Sequence, residues 1–127
     1  SFDCGYIGFA HLRNRICEVY DKDLYNVYSD MKMCALYTSE WTAKINAICN
    51  LKQFPDEDKD ILDFFFASDC EGKISYKTCG KIYDLIKDVD FEGRIFTYVA
   101  HSDGKDYEHL KEFLHECYRK RACMRWD

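Results

Sequence analysis

Proline is almost missing from this chain: there is one, Pro55, in 127 residues, beside six glycines. So few breakers leave no room for a long linker, and a single domain is expected over residues 1–127. No run of about eighteen apolar residues occurs, so no segment reads as a membrane-spanning helix. Period-two alternation is missing as well, and no strand is expected. CxxC pairs are absent, and with them the knuckle from which zinc sites draw two ligands. No GxSxG turn presents a serine, and no helical His-Asp pair lies beside paired cysteines as a secreted phospholipase would need. With no nucleophile and base to name, neither an enzyme, a catalytic residue nor a cofactor is expected. The net charge of −5 argues against binding a phosphate backbone, so nucleic acid is not expected as a partner.

What the chain has in quantity is cysteine. Cys4, Cys17, Cys34, Cys49, Cys70, Cys79, Cys117 and Cys123 are even in number and, apart from Cys117 and Cys123, dispersed, which points to disulfides in an oxidising compartment. Four intramolecular disulfides are expected in a secreted, monomeric protein. Their pairing is open, since eight cysteines allow 105 connectivities. The opening at Ser1, with Cys4 close behind, looks like a secreted chain whose signal peptide has been removed.

Apolar residues recur at helical spacing along most of the chain. Phe9, Leu12, Ile16 and Val19 mark a helix over 5–20 with Arg13 and Arg15 turned away from the core. Leu24, Val27, Met31, Cys34 and Ala35 mark a second from Asp23 to Tyr37. Thr38 or Ser39 caps a third, lined by Trp41, Ile45, Ile48 and Cys49. After Pro55, the carboxylates of Asp56, Glu57 and Asp58 suit the positive end of a helix that runs into Phe64, Phe65 and Phe66. Ser75 caps a helix through Tyr76, Cys79, Ile82, Tyr83 and Ile86. Asp90 caps one carrying Phe91, Ile95, Phe96 and Val99, and a last helix from Asp106 presents Leu110, Phe113, Leu114 and Cys117. The expected fold is all-α, a bundle of six or seven short helices cross-linked by disulfides.

The aromatic content of 17% exceeds what a core of this size needs. Tyrosines with a polar end suit a binding surface or a pocket. Tyr20, Tyr25, Tyr28, Tyr37, Trp41, Tyr98 and Trp126 are candidate exposed rings. Tyr118, Arg119, Arg121, Arg125 and Trp126, joined by Lys120, form the candidate partner-binding patch at the C-terminal end. Phe64, Phe65 and Phe66, with Tyr83 and Phe96, are the alternative: the lining of a pocket for a small apolar ligand, although three consecutive rings are more easily satisfied in a closed core. His11, His101, His109 and His115 read as surface residues. On one helix, His109 and His115 point about 120° apart and do not share a metal.

One internal echo links Phe66-Ala-Ser-Asp-Cys-Glu-Gly-Lys-Ile-Ser-Tyr to Val99-Ala-His-Ser-Asp-Gly-Lys-Asp-Tyr. Read as a calcium loop with Gly72 at position six, the first copy offers Asp69, Glu71 and Ser75 as ligands. Ala67 and Thr78 then occupy positions one and twelve, where carboxylates belong, so no tight metal site is expected. A degenerate EF-hand-like module is a second alternative.

Cys70-x8-Cys79 has the spacing of the last two cysteines of the insect odorant-binding proteins. Cys4-x12-Cys17-Glu-Val, with Met33-Cys34 further on, resembles the opening of the related salivary proteins of blood-feeding flies. The family's Cys-x3-Cys is missing, the gap from Cys49 to Cys70 is longer and two cysteines are extra. The resemblance implies a helical cup that sequesters a small ligand or binds a host protein, and it carries over no functional residue. Together these readings favour a secreted, non-enzymatic protein that binds a host or partner protein, or alternatively carries a small apolar ligand.

Overall fold

A computed structural model describes residues 6–30, 39–67, 71–89 and 103–126. Six helices make up most of it: α1 (Tyr6–Tyr20), α2 (Lys22–Asp30), α3 (Ser39–Lys52), α4 (Lys59–Phe66), α5 (Tyr76–Ile86) and α6 (Asp103–Lys120). A 3-10 turn, Asp56–Asp58, leads into α4. The all-α expectation holds in outline. Its helix starts at Ser39, just after Pro55 and at Ser75 fall where expected, and Ser75 Oγ accepts the Thr78 N–H as an N-cap should.

Two local expectations fail. A short antiparallel ribbon joins β1 (Gly72–Ile74) to β2 (Met124–Trp126), with Gly72 opposite Trp126, Lys73 opposite Arg125 and Ile74 opposite Met124. Three residues are too few to show alternation along the sequence, yet once paired they sort cleanly: Ile74, Met124 and Trp126 face the core while Lys73 and Arg125 face solvent. The last helix also begins at Asp103. Asp103, Gly104 and Lys105 thus form its first turn and not a loop, and β1 pairs with the chain's end and not with the echo. The helix expected from Asp90 to Val99 lies outside the described residues, as do Tyr37, Tyr98, Phe96, Asp69, His101, Cys4, Cys34 and Cys70.

The core gathers around the C-terminal end of α4. Phe64 and Phe65 are each 1% exposed. Phe64 meets Trp126 edge to face at 5.7 Å, and Phe65 lies 5.8 Å from Tyr20 and 6.3 Å from Tyr28, within the range of favourable ring pairs. Around them pack Leu12, Ile16, Leu24, Ile61, Ile82, Ile86, Leu110 and Leu114.

Arg13 overturns the expectation that it turns away from the core. It is 1% exposed, and its Nη1 donates to the carbonyls of Phe64 at 2.9 Å, Phe65 at 3.4 Å and Ala67 at 2.6 Å. These groups close α4, where a helix leaves carbonyls unpaired and its dipole favours a cation. Tyr28 Oη also donates to Phe65 O, at 2.7 Å. Arg15 is buried as well: it lies over the Tyr25 ring, 5.8 Å from its centroid, and donates to Tyr25 Oη at 3.0 Å. A helical wheel assigns arginine to the solvent face because it cannot see that a neighbouring helix ends there.

Candidate binding surface

Among the described residues, helices α5 and α6 share the most extensive packing, and Gly80 is what lets them approach. A Cβ on Gly80 would sit 2.5 Å from Cδ2 of Tyr118, so the ring lies directly over the glycine. Tyr118 is nonetheless 51% exposed: one face rests on α5 and the other is open. Tyr76 lies 6.4 Å from it. Two turns beyond Tyr76 on α5, Tyr83 stacks on His115 at 4.7 Å and 25°. The seam therefore presents aromatic side chains from two helices.

The seam ends in a turn of particular geometry. Ala122 N–H bonds Cys117 O and Arg121 N–H bonds Tyr118 O, the paired pattern that closes many helices. The residue at the left-handed position of such a turn is usually glycine; here it is Arg121, with φ of 55°. A side chain in that region costs about 1 kcal/mol or more. No glycine marks the spot in sequence, so the turn into β2 is hidden there.

The exposed cations at this end divide into two groups. Glu116 pairs with Arg119 at 2.7 Å and Lys120 at 3.0 Å. Hydrogen bonds from Arg119, then Lys120, hold its carboxyl below the usual range. Among the described residues, Arg121, Arg125 and Lys73 have no such carboxylate. Lys73 and Arg125 stand opposite each other on the ribbon and, with Glu71, Gly72 and Trp126, line an open groove of about 410 Å³.

The expected partner-binding set is therefore partly assembled. Tyr118, Arg119, Arg121 and Arg125 are exposed together at the end of α6 and on β2. Trp126 is not an exposed anchor: it is 3% exposed, its ring lying where a Cβ of residue 72 would fall. Tyr28 is likewise buried, at 6%, and Tyr20 and Tyr25 are half-buried. Of the expected pocket lining, Phe64 and Phe65 belong to the core, Phe66 packs against it, and Tyr83 is occupied by His115.

The calcium alternative finds little in the described part of its loop. Glu71 is exposed on the groove edge, Gly72 lies in a strand and Ser75 is committed to its cap. Among the described residues, no group of three or more histidine, cysteine or acidic side chains could hold a metal ion.

The five described cysteines, Cys17, Cys49, Cys79, Cys117 and Cys123, are thiols in this structure, with no sulfur–sulfur bond among them. The expected cross-links are thus not displayed, but the thiols are not scattered. Cys17 of α1 and Cys49 of α3 are near enough to perturb one another, and so are the Cys79 and Cys117 thiols across α5 and α6. Cys117 Sγ also lies 3.9 Å from Cys123 O. Burial pushes the Cys79 thiol up to about 12 and raises Cys17, Cys49 and Cys117 as well. A thiol so raised carries almost no thiolate at neutral pH and is a poor nucleophile.

No known protein family, curated protein or solved structure matches this chain.

Proposed function

We propose that this chain is a secreted protein that acts by binding another protein, and that the outer face of the α5–α6 seam, continued by the basic end of α6 and by β2, is its contact surface. The observation that carries this reading is Tyr118. It is a large ring held over Gly80 with its free face in solvent, flanked by Tyr76 and followed by exposed arginines. Rigid tyrosines with neighbouring arginines are the side chains that dominate protein interfaces, because they lose little entropy on contact. Arg121 extends the exposed basic surface from the end of α6 towards β2.

The use of Phe64 and Phe65 in the core favours a surface binder over a carrier of small apolar ligands. Secretion is supported by the juxtaposed thiols, since Cys17 with Cys49 and Cys79 with Cys117 would tie α1 to α3 and α5 to α6 on oxidation.

A photo-reactive amino acid in place of Tyr118, in the full oxidised chain, tests the surface against a mixture of extracellular proteins. One saturable cross-linked species, lost on Arg121→Glu, is the expected result. Absence of any cross-link, with stoichiometric uptake of a fluorescent fatty-acid analogue, would replace this reading with that of a carrier.

A further inference from the structure

The outer face of the ribbon is arranged at odds with its own stability. Lys73 and Arg125 are direct cross-strand partners on the solvent side, where their Cβ atoms are about 5 Å apart and like charges repel. Neither has an acidic partner among the described residues, although carboxylates are more numerous than cations in the chain as a whole, 23 against 18. Glu71 stands at the edge of the groove they line, while the Trp126 ring lies over Gly72 on the opposite, core-facing side of the ribbon. Two exposed cations side by side, with no acidic partner among the described residues, make a site for a single anionic group.

We propose that Lys73 and Arg125 clamp a side-chain carboxylate from an acidic segment of a partner protein. This rests on the partner-binding reading and names the chemistry of the partner at one end of that surface. The guanidinium can take a carboxylate through two parallel N–H bonds while the ammonium adds a point charge. Two features select against an extended polyanion such as a nucleic acid or sulfated polysaccharide. The net charge of −5 repels one at long range, and Glu71 on the groove edge repels the charges adjacent to the one bound. A protein segment can match that pattern, placing a carboxylate at the clamp and a cation or neutral residue beside Glu71.

The test uses the full oxidised chain, labelled with ¹⁵N, titrated with a capped peptide of alternating glutamate and glycine. Saturable shifts confined to amides 72–74 and 124–126 are expected. Their apparent affinity should fall about tenfold or more in a Lys73→Gln, Arg125→Gln double variant, and at high salt. The exposed positions allow that variant to fold, which its spectrum reports directly. Absence of saturable shifts in the parent chain, or equal shifts in the double variant, overturns the clamp. Tighter binding of a heparin fragment at the same amides also overturns it, in favour of a polyanion site. If the peptide fails while the Tyr118 cross-link persists unchanged in the double variant, the clamp falls and the partner-binding reading stands. If the peptide titrates the ribbon but Tyr118 captures nothing, the seam loses its role and the clamp stands.

Discussion

Arg13 and Arg125 carry the same group and stand on opposite sides of one short ribbon, yet their surroundings differ completely. Arg13 is buried and spends its donors on the carbonyls of Phe64, Phe65 and Ala67. Trp126, one residue from Arg125, packs on Phe64 and so belongs to Arg13's side of the molecule. Arg125 itself points the other way, towards Lys73 and solvent. The inner side shows a cation completing a fold by closing a helix end. The outer side shows two exposed cations set opposite each other across the strands, where like charges disfavour the pairing. Residue type alone does not tell these roles apart; what each side chain faces does.

The comparison breaks most sharply at Trp126. If it belongs to the inner region, Trp126→Ala should cost about 3–5 kcal/mol, measured by urea unfolding. A loss of partner binding with unchanged stability would return Trp126 to the outer surface.

The cysteines come next. Oxidised chain from an extracellular source should yield Cys17–Cys49 and Cys79–Cys117 peptides on non-reducing digestion and mass spectrometry, with about 2–5 kcal/mol lost on breaking either link. Iodoacetamide labelling of Cys79 in unreduced, denatured protein counts against that pairing.

On the outer side, Arg121→Gly should raise stability by about 1 kcal/mol by relieving the left-handed turn, while weakening capture through Tyr118. A stabilised variant with full binding would mean that Arg121 has no part in the surface.

The smallest effect concerns the link between α4 and α5. Asp60 is partly desolvated, which disfavours its charge, but hydrogen bonds from Thr78 at 2.8 Å and Lys81 at 3.1 Å outweigh this and hold its carboxyl below the usual range. Its contribution to stability is therefore complete above the unfolded value of about 3.9 and is lost as pH falls through the lower folded value. Asp60→Asn should flatten that acid limb of the stability curve and leave its neutral part less affected. An identical acid limb in the variant would show that Asp60 is not its source.

Much of the helical plan was legible in the sequence because caps and breakers announce themselves: Pro55, Ser75 and the aromatic run at Phe64 and Phe65 all fall where the structure uses them. The ribbon was not, since strands of three residues carry too short a pattern and their pairing spans fifty or more positions of chain. The turn at Arg121 was hidden for a related reason, an arginine standing where a glycine would have signalled it. Of the candidate surface, the cluster of Arg119, Arg121 and Arg125 with Tyr118 could be read from composition. Three features could not: the inward turn of Trp126, the partnership of Lys73 with Arg125, and the way Gly80 seats Tyr118. Each depends on residues brought together from distant segments.

The central claim, that one arginine builds the fold and the other is held ready for a partner, is tested most directly by urea unfolding of Arg13→Met and Arg125→Thr side by side. Removing Arg13 leaves three carbonyls at a helix end without their cation and should cost about 3–5 kcal/mol. Removing Arg125 relieves a like-charge pair and should leave stability unchanged or raised by up to about 1 kcal/mol. A comparable loss in both variants would contradict the account, because Arg125 would then be part of what holds the molecule together.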